Sequence, residues 1–202
     1  MSRTLFTSKS GGDLMIEINR EILRHQLSLK TLHFMKQTHS DLVKVIENES
    51  GDLYCDALVS TTIGVGIAAL AADCMPITFS AQGVIGVAHV GRVGLVKGIA
   101  SKTVRAMRDL GATEITATIG PSICGTCYEV SPQMYQEITT RLPNSATSEE
   151  HHSLNMQAAV LEELLELEVR THDTRICTLE SSEYFSYRGG DATFRQAGVI
   201  SL

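Results

Sequence analysis

The feature that most limits how this chain can fold is a succession of short apolar or alternating runs that follow one another with little between them. Residues 14–18, 32–36, 42–46, 56–60, 65–71, 75–80, 84–89, 115–119 and 175–179 are each of strand length and carry the Val, Ile and Thr content of strands. Most of these runs succeed one another directly, without a helix between each pair. That order favours an α+β layered sandwich with mixed sheets over a doubly wound parallel sheet.

Helical stretches fill the remaining spans. Asn19 is placed to cap a helix reaching residue 29. Residues 97–110 set Ile99, Thr103, Val104, Met107 and Leu110 along one face and stop at Gly111. Ser131 followed by Pro132 is an N-cap and first-turn pair that opens a helix to about residue 142, and residues 155–169 repeat Leu and Val at spacings of three and four. Residues 143–153 read as a polar loop. No repeat, low-complexity tract or Pro/Gly/Ser-rich linker divides the 202 residues, so one domain over 1–202 is expected. A domain of that size buries roughly 70% of the surface of its unfolded chain.

Composition narrows the partners. The net charge is -6, and the 17 Lys and Arg residues are scattered without a basic run, which argues against nucleic acid and anionic membrane and for a small-molecule substrate. The first residues lack the apolar core of a secretory signal, and no run approaches a membrane span. Five cysteines, an odd number without an export signal, point to reduced thiols and a cytoplasmic location. Nothing in the sequence fixes an oligomeric state.

Three residues with soft or borderline donor atoms sit at turns beside strands: His39, Cys74 and His89. Two imidazoles and a thiolate leave one tetrahedral position open, the pattern of a catalytic zinc site. The alternative is a buried core thiol with two surface or hydrogen-bonded imidazoles. Cys74 follows Asp73 and precedes Met-Pro at the junction of two apolar runs, where loop geometry would direct its side chain. After His89, Gly91, Arg92, Gly94 and Lys97 lead into a helix. They form either a cradle for a phosphate or another oxyanion, or an ordinary Gly-rich turn. Cys124 and Cys127, in CGTC, suit a redox dithiol or half of a zinc site, but no second pair stands nearby and a Gly-containing turn is the default. His25, His151, His152 and His172 read as surface residues. Tyr184, Phe185 and Tyr187 read as core packing at an element end.

The blocks QTHSDLV, CDALVSTTIGVGIAALAADCMPITF, GVIGVAHVGRVGLVKG, IGPSICGTCYEV and YFSYRGGDATFRQAGVI resemble, in order, the laccase-domain (YfiH-type) family. Its members have been called multicopper polyphenol oxidoreductases and, more recently, purine nucleoside phosphorylases. The resemblance implies a four-layer α-β-β-α sandwich and a metal site of His39, Cys74 and His89, with zinc as the ion and copper as the alternative. It implies phosphorolysis of adenosine, inosine and methylthioadenosine by phosphate, together with adenosine deamination. The family's HAGWRG is His89-Val90-Gly91-Arg92-Val93-Gly94 here, without the Trp. Its Arg-x-Gly-Gly is Lys9-Ser10-Gly11-Gly12, which turns a bidentate anion contact into a point charge. Its late Gly before an Arg is Phe194, ahead of Arg195.

On this reading Lys9, Arg92 and the 91–94 backbone bind phosphate, while Gln37 or Asp73 orients water or substrate. A phenol oxidase would need several copper ions close together, and the chain has no His-x-His pair. A Cys-His hydrolase acting on cell-wall precursors would use Cys74 as nucleophile and His89 as base.

Overall fold

Strand β5 (Val65–Ala71) is buried along its whole length, and its alternate residues feed two different cores. Ile67 and Ala69 face one apolar cluster, while Ala68 and Leu70 face another. The same split runs through β4 (Ala57–Ser60) and β7 (Val84–Val90). Leu58, Ile85 and Val87 join the cluster of Ile67, whereas Ala57, Val59, Ala88 and Val90 join a third. A chain with strands buried on both faces must stack layers, and three clusters separate four of them.

The computed structural model describes residues 2–47 and 51–202. One sheet has the order β1-β12-β5-β2, formed by β1 (Arg3–Phe6), β2 (Thr31–Phe34), β5 and β12 (Gln196–Ser201). The other has the order β11-β8-β6-β7-β4-β3, adding β3 (Val43–Ile46), β6 (Met75–Ala81), β8 (Thr116–Ile119) and β11 (Arg170–Asp173). Both sheets are mixed: β2 runs parallel to β5, β3 to β4 and β11 to β8, and the other pairs are antiparallel. Helix α1 (Glu17–Gln26) covers the smaller sheet through Leu23. Helices α3 (Ile99–Asp109), α4 (Pro132–Arg141) and α5 (Met156–Glu166) cover the larger one through Val104, Met107, Ile138 and Val160. The result is the α-β-β-α sandwich. No helix among the described residues is long and apolar enough to cross a membrane.

Local departures from the sequence reading have local causes. Residues 14–18 are no strand. The Asp13 carboxylate accepts from Met15 N and the Asp13 carbonyl from Ile16 N, which turns the chain into α1 and buries Leu14 alone of that run. Asn19 therefore lies inside α1 and donates to the Asp13 carbonyl instead of capping. Residues 175–179 are a loop, because Arg175 takes φ 54° and its N–H is held by the Asp173 carboxylate. The edge strand lies just before it, as β11. Gly98, at φ 74°, moves the start of the helix read at 97–110 to Ile99, as α3, and separates it from a short helix α2 (Arg92–Val96) that the sequence reading lacks. The cap at Ser131 stands as read, accepting from Met134 N, and Asn155 proves to cap the helix that follows it, accepting from Ala158 N. The polar loop at 143–153 carries a 3-10 turn and a short hairpin of β9 (Ala146–Ser148) and β10 (Ser153–Leu154). The terminal strands β1 and β12, absent from the sequence reading, pair with each other and tie the two ends of the chain together.

Phe6, Pro76, Gly120 and Gly198 pack tightly against one another between the sheets. A Cβ on Gly198 would lie 2.8 Å from Pro76 Cβ and 3.0 Å from a Phe6 ring carbon. Gly198→Ala is expected to lower the stability of the protein by about 1–3 kcal/mol, the usual cost of overpacking, read as a lower urea midpoint with an unchanged slope.

Candidate metal centre

His39 and Cys74 both lie where the chain leaves the smaller sheet for the larger. His39 is in the β2–β3 connection and Cys74 in the β5–β6 turn, while His89 is near the end of β7, paired with Pro76. Two crossings and one strand end thus meet at one edge of the sandwich. The donor atoms of the three side chains lie within 4.8 Å of one another. Cys74 Sγ is 4.0 Å from His39 Nε2, and the two imidazoles meet edge to face at 4.8 Å. A tetrahedral ion about 2.3 Å from sulfur and about 2.0 Å from nitrogen sets those atoms about 3.5 Å apart, so the triad fits a metal after a small contraction. His39 (φ 55°) and Asp73 (φ 82°) hold left-handed backbone, a strain that the surrounding bonds enforce.

Those bonds converge on Asp56, which is fully buried at the head of β4. Its carboxylate accepts from the backbone N–H of Thr38, His39 and Ser40, from the hydroxyls of Thr38 and Ser40, and from His89 Nδ1 at 2.9 Å. Burial alone would raise its pKa, but these donors hold it far below the usual carboxylate range. The bond to Nδ1 leaves His89 Nε2 as the nitrogen that faces Cys74 and an ion. Burial would likewise lower the His89 imidazole, yet Asp56 and Cys74 raise it to about 9. The Cys74 thiol, which burial would push up, is brought down to about 6 by His39 and His89, so the sulfur is a thiolate at neutral pH and ready to ligate. Asp56 was missed in the sequence. The available signal was a carboxylate at the head of the short strand run Ala57–Ser60, which is otherwise without charge.

The triad stands in the wall of a cavity of about 790 Å³, within the range of small-ligand sites. Gln37 and Asp73 also line it, but their polar atoms are engaged. Gln37 closes both bonds with the Leu70 backbone, and Asp73 accepts from Thr178 Oγ1 and Arg188 N. Lys9 pairs with Asp191 at 3.2 Å, and neither it nor Arg92 belongs to the described lining. Gly91 and Gly94 serve as space. A Cβ on Gly91 would come within 2.9 Å of the His39 ring and 3.1 Å of Cys74 Sγ, and one on Gly94 within 3.2 Å of the Ser40 carbonyl. The cationic lining is instead Arg20, Lys36, Arg188 and Arg195. Tyr187, read as core, is exposed and lines the cavity together with Tyr128.

Residues 8–202 match the family described as multi-copper polyphenol oxidoreductase laccase. The chain is 39% identical over 197 residues to a protein named purine nucleoside phosphorylase from Streptomyces griseus, covering 91% of this chain and 80% of that one. It is 38% identical over 187 residues to one of the same name from Corynebacterium glutamicum, covering 87% and 76%. The crystal structure of a Neisseria meningitidis protein superposes with a TM-score of 0.88 at 28% identity, over 100% of this chain and 94% of that one.

Since Asp56 both orients His89 and closes the turn carrying His39, Asp56→Asn is expected to weaken zinc(II) binding at this centre by about 10–100-fold, measured by competition with a chromophoric chelator.

Proposed function

The chain belongs to the multi-copper polyphenol oxidoreductase laccase family, and on that premise we propose that it is a zinc-dependent purine nucleoside phosphorylase with a secondary adenosine deaminase activity. Its substrates on this reading are adenosine, inosine and methylthioadenosine, with phosphate as the nucleophile. The observation that carries it is a cavity of about 790 Å³ that joins a two-histidine, one-thiolate centre to arginines that form no salt bridge among the described residues. The relatives' name, purine nucleoside phosphorylase, favours purine nucleosides and phosphate as the substrate class.

His39, Cys74 and His89 would hold the ion, which when bound supplies Lewis acidity at that part of the wall. The other work falls to the chain. In phosphorolysis an oxygen of phosphate forms a bond to ribose C1′, the bond from C1′ to the purine nitrogen breaks, and its electron pair leaves with the base. The protein must hold a dianion in line and stabilise the departing charge. Among the described residues Arg20, Arg188 and Arg195 form no ion pairs. Each anchors part of its guanidinium on a carbonyl: Arg20 on Leu14, Arg188 on Glu129, and Arg195 on Ala192 and Phe194. Such anchoring fixes the fork before the anion arrives. These three arginines therefore take the anion-binding role in preference to Lys9 and Arg92. Gln37 and Asp73 shape the wall and position their neighbours.

Copper remains chemically compatible with the same donors. A multicopper oxidase, however, passes electrons between several ions held by clustered imidazoles, and the described residues gather only two imidazoles with Cys74. Five free thiols suit a reducing compartment, so we place the protein in the cytoplasm.

Purified protein incubated with adenosine and phosphate is expected to yield ribose-1-phosphate and adenine with some inosine, and Cys74→Ala to abolish all three. Omitting phosphate should leave inosine alone. Oxidation of phenols by the copper-loaded protein without phosphorolysis would overturn the reading. Arg195→Ala is expected to raise the KM for phosphate by about 10–100-fold with a smaller change in kcat, the loss of a charged hydrogen bond, measured by initial rates at varied phosphate.

A further inference from the structure

Away from the triad, the turn 124–127 and the loop 177–180 bring four more donor atoms together. Cys124, Cys127, Cys177 and Glu180 each offer one, all within 4.8 Å of one another. We propose that they form a second metal site, structural in character, which takes zinc or a comparably thiophilic divalent ion. The pairing is invisible in sequence, because CGTC supplies two donors and the third and fourth come some fifty residues later.

The geometry is that of a closed tetrahedral site. Zinc at about 2.3 Å from sulfur and about 2.0 Å from a carboxylate oxygen sets sulfur and oxygen about 3.5 Å apart. Cys127 Sγ and Glu180 Oε1 stand at 3.5 Å. The C-x-x-C turn is already folded back on itself, with Cys127 N and Tyr128 N both donating to the Cys124 carbonyl. Cys177 Sγ accepts from Cys124 N at 3.4 Å, an amide-to-sulfur bond of the kind that supports a thiolate ligand. The two segments are locked by backbone as well: Ser122 N donates to Ile176 O and Thr178 N to Ser122 O. All five cysteines are free thiols, and among the described residues no Lys or Arg forms an ion pair with Glu180. Four protein donors leave no position for substrate, which separates this site in kind from the open triad.

Its position gives it a task. Tyr128, next to Cys127, lines the cavity and carries the Arg188 guanidinium over its ring at 5.3 Å. Asp73 accepts from Thr178 Oγ1 on one segment, while its carbonyl accepts from Ile123 N on the other. An ion between the two segments would pin the cavity wall on both sides of Arg188.

The test uses the full chain carrying Cys74→Ala, so that the open triad no longer competes. Added zinc is expected to raise its melting temperature and to protect Cys124, Cys127 and Cys177 together from alkylation, read by peptide mass spectrometry. Both effects should vanish when Cys124→Ser and Cys127→Ser are added. Should that variant not fold, Glu180→Gln, which alters an exposed side chain, is expected to weaken zinc binding about 10-fold or more. Equal alkylation rates with and without zinc, or a Cys124–Cys127 disulfide in the zinc-treated protein, would overturn the proposal. Absence of phosphorolysis in the protein with Cys74 intact, with this protection retained, would count only against the function assigned to the triad.

Discussion

The buried carboxylate of Asp56 is the constraint on which the candidate centre depends. An ionised carboxylate moved out of water is tolerated only when its oxygens are fully bonded. Here three consecutive backbone N–H groups, two hydroxyls and one imidazole do this. Satisfying the charge forces residues 38–40 to curl around it, which puts His39 in left-handed backbone and aims its ring at Cys74. It also fixes which nitrogen of His89 is left for an ion. One side chain that touches neither metal nor substrate thereby positions two of the three ligands.

The layered architecture explains why the ligands meet at an edge. A four-layer sandwich needs its chain to pass from one sheet to the other, and such passages lie at strand ends, where backbone is irregular and side chains are free to converge. His39 and Cys74 occupy two of them. Close approach then depends on missing atoms: Gly91 leaves the room in which the His39 ring and Cys74 sulfur stand side by side, and Gly198 and Gly120 let Phe6 and Pro76 close the gap between sheets. At Gly91 and Gly198 the chain needs space more than freedom of φ, since a Cβ there would collide without any change of conformation.

Legibility followed the range of the interactions involved. Strands such as β5 and β7 and the cap at Ser131 are set by neighbours within a few residues, and their patterns could be read directly. The run at 14–18 has strand-like composition yet is turned by Asp13, and the run at 175–179 yields to the turn that starts at Asp173. The terminal strands escaped notice because each is short and finds its partner at the opposite end of the chain. Among site residues, the triad was accessible through donor chemistry and family resemblance. Asp56 and the arginines of the cavity were not, since their importance lies wholly in what surrounds them.

Periodicity and side-chain chemistry are local properties, so the order of residues alone specifies the class of the fold, the apolar faces that build its layers, and the kinds of donor available to a metal. Folding alone settles which of the remaining groups meet: Cys177 with the CGTC turn, and Arg20 and Arg195 across one cavity. The reason is that convergence depends on where the chain crosses between sheets and on which carboxylate its loops must wrap. Neither is encoded in the spacing of the residues that finally come together.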